Sequence, residues 1–246
     1  MAVTVDIKAL LEAGVHFGHK TSRWHPKMAP YIHSKRQESH IIDLVKTVEG
    51  LDAALPFITK TVASGKQVLF VGTKKQAKDI VRAAAEKVNQ PFVTERWVGG
   101  MLTNVSTVSQ QLKKLTDLEK RMDSGDLEKR YNKLEVQRFQ EEIDELNHKY
   151  GGIKNLNKLG AVIVLDVLSD ANAVKEAKTL GVPVVAVVDT NVDPTPIDYV
   201  IPGNDDAIKG ISLLLDYFTA AVAEGAGSVK AVDTAAAAKE ESKEEK

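Results

Sequence analysis

The sequence predicts an α/β protein: a doubly wound parallel sheet with an inserted antiparallel coiled-coil hairpin. Short continuous apolar runs at 67–72, 161–167 and 182–190 have the length and β-branched character of buried strands. The first two runs are each followed by a segment with helical spacing of apolar residues. Such alternation favours parallel strands with helices on both faces. A third observation is the charged block at 104–150, which interrupts the alternation.

The remaining elements follow from start, stop and turn signals along the chain. A helix at 6–13 ends at Gly14, and a long helix at 47–64 contains Pro56. Asn204 is placed to cap a long terminal helix. Further predicted elements are strands at 40–44 and 199–201, a helix at 73–88 capped by Thr73, and a helix at 171–181.

The block at 104–150 carries a narrow apolar stripe among charged positions. Val105, Val108 and Leu112 recur three and four residues apart, and a second run with this spacing follows a turn at 123–126. Two helices of ~20 residues would pair as a projecting coiled coil, which a narrow stripe favours over two surface helices of the core. The predicted domains are an α/β core at 1–103 and 152–224, the hairpin at 104–151, and a low-complexity, disordered tail at 225–246.

Composition excludes several classes of protein and site. The chain has no cysteine, so it has no disulfide, thiolate metal site or thiolate nucleophile. No apolar run approaches the ~20 residues that span a bilayer, and the first residues lack a signal-peptide pattern, so we expect a cytoplasmic protein. The net charge is −1, yet residues 1–100 hold 15 Lys/Arg against nine Asp/Glu. This part of the chain can present a phosphate-binding face.

The segment 16–40 concentrates unusual chemistry. It holds five of the six histidines, five Lys/Arg, three aromatic residues and a single acid. Pro26 and Pro30 forbid one continuous helix, so we expect an irregular segment. The residues alone leave three interpretations open: a metal site, a catalytic site or a surface for nucleic acid.

Acidic residues follow the predicted strands, at the edge where α/β sheets place ligand sites. Asp43, Asp166 and Asp189 could therefore form a Mg²⁺ or phospho-acceptor site. Alternatively, they cap the loops and helices that follow, which is favoured because no lysine or other base is seen to face them. The weak metal candidates are Asp189, Asp193 and Asp205, and the pair His16 and His19 lacks further ligands nearby in sequence.

The run VGTKK at 71–75 ends a predicted strand and opens a helix. Backbone N–H groups at that helix start, together with Lys74 and Lys75, could hold a phosphate. The spacing matches neither the P-loop nor the dinucleotide-binding pattern. A structural strand-to-helix turn is an equally good interpretation.

Cations and aromatic rings alternate in two places, around residues 20–31 and at 96–97. Cations hold phosphates and flat rings stack on bases, so this chemistry indicates RNA, although no RNA-recognition module motif is present. A core role is the alternative for the tryptophans, above all for Trp97. The residues concerned are Lys20, Arg23, Trp24, His25, Lys27, Tyr31, Arg96 and Trp97.

Four separate sequence segments, which occur in the same order as in the family, resemble the signatures of a bacterial family, ribosomal protein S-two of the small subunit. The segments are LLEAGVHFGHKTSRWHPKMAPYI (10–32), LFVGTKKQA (69–77), ERWVGGMLTN (95–104) and IPGNDDAIKGI (201–211). The resemblance spans about residues 5–224 and implies a flavodoxin-like domain with a protruding coiled-coil hairpin. It also implies a structural, RNA-binding role without catalytic residues.

Proteins of that family sit on the solvent side of the small subunit, where head meets body, and bind small-subunit rRNA beside neighbouring proteins. They also dock the mRNA-binding ribosomal protein S-one and so support translation initiation. The resemblance implies no membrane, no small-molecule substrate and no required cofactor, and it allows a bound Mg²⁺ or Zn²⁺ ion. The expected rRNA contacts are Lys20, Arg23, Trp24, His25, Lys27, Lys74, Lys75, Arg96, Trp97 and Asn104. The rival interpretation is a Mg²⁺-dependent α/β enzyme or phospho-receiver that uses the strand-end aspartates.

Overall fold

Strands and helices alternate along the chain. The computed structural model describes residues 4–244, with side chains up to residue 228. The strands are β1 Phe17–Lys20, β2 Ile32–Arg36, β3 Ser39–Ile42, β4 Gln67–Val71, β5 Phe92–Val93, β6 Leu159–Val164, β7 Val184–Val188 and β8 Tyr199–Pro202. The helices are α1 Ile7–Glu12, α2 Leu44–Ala63, α3 Lys78–Lys87, α4 Val105–Asp123, α5 Asp126–Arg130, α6 Lys133–Tyr150, α7 Ala171–Thr179 and α8 Ile208–Glu244.

The central sheet has parallel strands in the order β5-β4-β6-β7-β8. Counted along the chain from β4, this order is 2-1-3-4-5, which is the flavodoxin-like doubly wound topology. Every residue of β7 is buried, as expected when helices cover both faces of a sheet. The predicted α/β fold class is confirmed.

The two faces of this sheet bury separate layers of apolar side chains, because successive residues of a strand point to opposite faces. Val68 and Phe70 pack with α2, α3 and α8, where Leu51 and Phe218 are fully buried. Leu69 packs on the other face, with α7 and the base of α4. Each fully buried Leu or Phe contributes about 2 kcal/mol of transfer free energy, so these two layers hold the strand ends in place.

The sequence predicts that the segment 16–40 is irregular, and this prediction is wrong. The segment forms an antiparallel sheet in the order β1-β3-β2. We call it the N-terminal sheet. Pro26 and Pro30 lie in a short 3₁₀ helix, Pro26–Tyr31, between β1 and β2. Gln37 and Glu38 both have positive φ, 45° and 64°, and make the two-residue turn between β2 and β3. The prolines therefore break helix formation without preventing strand pairing on either side.

Helices α4 and α6 pack against each other in the inserted block, with α5 between them. Leu115 and Leu118 of α4 are buried in the same cluster as Ile143 and Leu146 of α6. The second helix is shorter than predicted, because Asn132 interrupts it and caps α6 through a reciprocal capping box with Glu135. Val105 and Leu134, which the helical spacing placed on the apolar stripe, are 63% and 61% exposed.

Helix α3 begins later than the sequence predicts, at Lys78, and its N-cap residue is Ala77 rather than Thr73. The Thr73 side chain instead donates a hydrogen bond of 2.8 Å to Asp170. Helix α8 also begins later than predicted, at Ile208, so Asn204 is not its N-cap residue. The Asn204 side-chain oxygen instead accepts hydrogen bonds from the backbone N–H groups of Asp206 and Ala207, in the turn that leads into α8.

Helix α8 passes through residue 225, where the sequence predicts a disordered tail to begin. A Cβ atom on Gly225 would lie 2.6 Å from the carbonyl oxygen of Thr59, so this turn packs closely on α2. The helix therefore continues past the predicted boundary. The side chains of 229–244 and all of 245–246 lie outside the described residues, so the predicted disorder of 245–246 is not tested. Neither α8 nor any other described helix is long and apolar enough to cross a membrane.

Candidate nucleic-acid interface

The N-terminal sheet is attached to the carboxyl edge of the parallel sheet, just beyond β7. The backbone N–H of His19 donates to Thr190 Oγ1 at 2.9 Å, and that of His25 donates to the Thr190 carbonyl oxygen at 2.7 Å. A Cβ atom on Gly18 would lie 2.7 Å from Thr190 Cγ2, so the glycine permits this close approach. The predicted binding residues of 16–40 are thereby placed over the strand ends.

Lys20, Arg23 and Trp24 are exposed on this attached sheet, as an interface requires. Among residues 4–228, neither cation has an ion-pair partner. Trp24 is 39% exposed, and its ring lies 5.3 Å from that of His40, at 44°. Two solvated positive charges and a part-exposed ring therefore stand together beside the strand ends.

Lys27, in contrast, is already neutralised. Its ammonium lies 2.8 Å from Asp193 Oδ2 and 2.8 Å from Thr195 Oγ1. This contact with Lys27 holds the pKa of Asp193 well below its usual range. The neighbouring His25 caps the 3₁₀ helix, because its Nδ1 accepts from the Lys27 N–H at 3.3 Å. Both Lys27 and Asp193, one of the weak metal candidates, are thus held by local contacts.

Lys74 points into a group of aspartates at the carboxyl edge, which we call the acid cluster: Asp166, Asp189, Asp205 and Asp206. Its ammonium lies 2.8 Å from Asp205, 2.7 Å from Asp206 and 3.7 Å from Asp166. Burial opposes a charge on Lys74, but the hydrogen bonds to Asp205 and Asp206 outweigh it and raise its pKa. The expectation that no lysine faces these acids is therefore wrong.

The acid cluster has a geometry that a cation could use. Ligand atoms of His19, Asp205 and Asp206 lie within 4.8 Å of one another. His19 Nδ1 also lies 3.0 Å from Asp189 Oδ2, and the hydrogen bond with Asp189 raises the pKa of His19. However, the Lys74 ammonium already contacts both Asp205 and Asp206. The ligand atoms of His19, Asp205 and Asp206 could therefore bind a divalent ion only if the Lys74 side chain moved away from both carboxylates.

Asp43 and Asp166 also accept hydrogen bonds from the turns that follow their strands, which is the favoured interpretation of the sequence. Asp43 accepts from the Val45 N–H at 2.9 Å at the start of α2. Asp166 accepts from the Leu168 N–H at 2.8 Å and from the Ser169 hydroxyl at 2.7 Å. These hydrogen bonds satisfy backbone donors that would otherwise be unpaired at the turn.

Asp170 is fully buried beside this cluster and provides a pH-dependent test of the fold. Burial raises its pKa to about 6, although Thr73 donates two hydrogen bonds to it. Because the folded protein binds this proton more tightly than the unfolded chain does, stability should fall as pH rises from about 4 to 6. The variant Asp170→Asn should keep the contacts with Thr73 and lose this dependence.

We expect Asp170→Asn to be more stable than the wild type at pH 7.5, on the order of 2 kcal/mol, and equal to it near pH 4. Urea unfolding at a series of pH values measures both quantities. An unchanged pH slope between 4 and 6 in the variant would show that Asp170 is not the titrating group.

The loop at 97–103 is organised by one carboxylate, that of Glu176 on α7. It accepts from Trp97 Nε1 at 3.0 Å, from the Gly100 N–H at 2.8 Å and from the Leu102 N–H at 2.9 Å, with further contacts to Thr103. Burial alone would raise the pKa of Glu176, but these hydrogen bonds outweigh it and lower the pKa. No pattern in the sequence indicates this role, because Glu176 lies among ordinary helix-surface charges.

Trp97 and Asn104, both predicted to contact rRNA, have roles within the fold instead. Trp97 is 6% exposed, so its ring has no free face on which a base could stack, which is the core role named as the alternative. Asn104 caps α4 by accepting from the Thr107 N–H at 3.4 Å. We therefore leave both residues out of the interface.

Lys75 and Arg96 remain available. Both are exposed and lack an ion-pair partner within 4–228, and they follow β4 and β5 at the carboxyl edge of the sheet. Lys35 and Arg36 on β2 are also exposed and unpaired within the same range, and the sequence analysis did not select them. On the hairpin, by contrast, Lys114, Arg121 and Arg130 pair with acidic residues of the same block.

Comparison with known proteins shows the family of the chain. A family model described as "Ribosomal protein S2" matches residues 10–225. The chain is 50% identical to "Small ribosomal subunit protein uS2" of Chloroflexus aggregans and 51% identical to that of Chloroflexus aurantiacus, in each case over 90% of this chain and 93% of the relative. The protein of the same name from a Roseiflexus species is 50% identical over 90% of this chain and 84% of its own length. The chain therefore belongs to the ribosomal protein S2 family, whose members are structural proteins and not enzymes.

Proposed function

We propose that this protein is a structural constituent of the small ribosomal subunit and binds small-subunit rRNA through the carboxyl edge of its sheet. The observation that carries the proposal is the set of four exposed, unpaired cations at that edge, within residues 4–228. They are Lys20, Arg23, Lys75 and Arg96. Exposed cationic side chains that have no acidic partner in the protein are free to bind RNA phosphates.

The distribution of charge supports the same proposal. The net charge of −1 excludes a uniformly basic protein, yet residues 1–100 carry an excess of positive charge, with 15 Lys/Arg against nine Asp/Glu. The acidic remainder of the chain would then face solvent or protein. Such a protein is peripheral: it shows one face to RNA and another to its protein neighbours.

We extend the proposal to position and partners. The protein would sit at the head–body junction on the solvent side of the small subunit, as part of cytoplasmic ribosomes. It would dock ribosomal protein S-one and so support initiation. The support is the resemblance of the four sequence segments and the family membership of the chain.

The salt dependence of RNA binding tests the proposal in vitro. The logarithm of the affinity for small-subunit rRNA should fall linearly with the logarithm of salt concentration, by ~0.7–0.9 for each phosphate contact, so by about 3 for four cations. Filter binding of the full chain between about 0.05 and 0.5 M salt measures this slope. A slope near zero would contradict an interface built on these cations.

No cofactor is needed for this role, and we propose that the Lys74 ammonium serves as the cation of the acid cluster. A Mg²⁺ or Zn²⁺ ion would have to take the group of His19, Asp205 and Asp206 and displace that ammonium. Asp205 is nearly fully buried, and burial raises its pKa to about 6. Its charge therefore depends on a close positive partner.

The variant Lys74→Gln tests this role of the lysine. Removing the cation leaves buried carboxylates unpaired, so we expect a loss of about 3 kcal/mol at pH 7.5 and a smaller loss at pH 5. Urea unfolding at both pH values measures it, and Lys75→Gln is a matched control because the neighbouring Lys75 is exposed. Equal stability of both variants would contradict the assignment.

A further inference from the structure

A cleft of about 400 Å³ lies between β1 and the loops that follow β7 and β8. Its lining includes the exposed side chains of Phe17, Lys20 and Arg23. Asp189, Asn204 and Asp206 also line it. The volume is within the range of pockets that hold small organic groups, and it is large enough for one nucleobase.

Phe17 presents its ring to solvent at the mouth of this cleft. It is 53% exposed, and its ring centroid lies 4.0 Å from that of His16. The register pairs Phe17 with Ile41, and Ile41 with Ser34. Paired residues share one face of an antiparallel sheet. The register shifts between Phe17 and Lys20, and the two residues within this shift, Gly18 and His19, both contact Thr190, so Phe17 and Lys20 lie on the outward face.

Cations stand beside the ring on this outward face. The register continues with Lys20 paired to Ser39, and Ser39 paired to Arg36. Lys20 and Arg36 are exposed and, within residues 4–228, have no ion-pair partner, as is true of Arg23 nearby. A single exposed phenylalanine needs no explanation. One that lines the same cleft as two uncompensated cations, Lys20 and Arg23, has the composition of a surface that binds single-stranded nucleic acid.

We propose that Phe17 stacks on an unpaired nucleotide of the rRNA and that the cleft holds its base. The inference rests on the proposed function and names the class of RNA element, a loop or bulge rather than a continuous duplex. Lys20 and Arg23, which line the cleft with Phe17, would hold the flanking phosphates. The half-exposed carboxylate of Asp206 in the same lining can accept hydrogen bonds from exocyclic amino groups of the base.

Phe17 would thus have the stacking role that was predicted for the tryptophans. Trp97 is buried under its contact with Glu176, and Trp24 packs partly on His40. The acidic residues of the cleft do not repel the RNA strongly. Asp189 is 1% exposed and pairs with His19, and Asp206 pairs with Lys74.

Two substitutions of Phe17 distinguish stacking of its ring on a base from a general apolar contact. Phe17→Tyr keeps the flat ring, whereas Phe17→Leu keeps apolar surface and removes the ring. We expect the tyrosine variant to bind small-subunit rRNA within about twofold of the wild type. The leucine variant should bind about tenfold more weakly with an unchanged salt slope, because no charge is removed. Phe17 is exposed, so both variants should unfold at the wild-type urea concentration.

Ultraviolet cross-linking of the wild-type chain to rRNA should join residue 17 to an unpaired base. Wild-type affinity in the leucine variant, or a cross-link only to base-paired nucleotides, would overturn the stacking role. Tighter binding of rRNA by the leucine variant than by the tyrosine variant would also overturn it, because apolar surface rather than the flat ring would then carry the contact. If the wild-type chain itself fails to bind rRNA, the proposed function fails, and this result is distinguishable from the others.

Discussion

Reversing the charges of Lys20 and Arg23 should nearly abolish binding to small-subunit rRNA. Both side chains are exposed, and neither has an ion-pair partner among residues 4–228. The double variant Lys20→Glu with Arg23→Glu would lose two charge-assisted contacts and place two negative charges against phosphates. We expect a loss of at least ~3 kcal/mol, which is a factor of 100 or more in affinity, measured by filter binding at ~0.1 M salt.

A control with the same change in net charge is available at the opposite end of the molecule. Lys66 and Lys158 directly precede β4 and β6, at the amino edge of the sheet, and both are exposed and unpaired within the described side chains. Their double change to glutamate should alter affinity less than about tenfold, through long-range repulsion alone. Equal losses in the two double variants would mean that binding follows total charge and not the carboxyl edge.

Removing the carboxylate of Glu176 should cause the largest loss of stability of any single change considered. Glu176→Ala leaves the Trp97 indole N–H and the backbone N–H groups of Gly100 and Leu102 without their acceptor. Trp97 and Leu102 are buried, and a buried donor without a partner costs about 1–3 kcal/mol. We expect a loss of about 3 kcal/mol or more in urea unfolding.

The same change should loosen the start of α4, because the loop at 97–103 leads directly into that helix. Hydrogen exchange of the Gly100 and Leu102 amides should therefore accelerate well beyond the change in the parallel sheet. Glu176→Gln keeps one acceptor oxygen and should lose about half as much stability. The neighbouring exposed Lys175, changed to alanine, is the matched control and should be neutral. Normal stability of Glu176→Ala would contradict the role assigned to this carboxylate.

The central sheet was predictable because its signal is local. Buried parallel strands such as β4 and β7 read as continuous apolar runs, and each run is visible without knowledge of its partners. The N-terminal sheet was not predictable in the same way. Four of the five β2 residues are exposed and polar, and its turn uses Gln37 and Glu38 instead of an Asn-Gly pair. Its strands are specified by pairing with β3, which single-chain periodicity does not show.

In the candidate site, too, properties of single residues were predictable from the sequence, whereas contacts between distant residues were not. Exposure and charge are local properties, so Lys20, Arg23 and Arg96 could be selected from the sequence and are available in the structure. Lys74 donates a hydrogen bond to Asp205, which lies 131 residues away in the sequence. Glu176 accepts one from the Gly100 N–H, 76 residues away. Contacts of this separation arise from the topology of the sheet, which brings all strand ends to one edge. The sequence could name the residues but not their partners.

Sedimentation of a cell lysate through a sucrose gradient, with this chain measured in each fraction, tests the central claim most directly. At moderate salt the protein should migrate with small subunits and whole ribosomes, at about one copy per particle. At high salt it should be released, because exposed cations hold it on the RNA. A chain found only at the top of the gradient at moderate salt would contradict its proposed place in the small subunit.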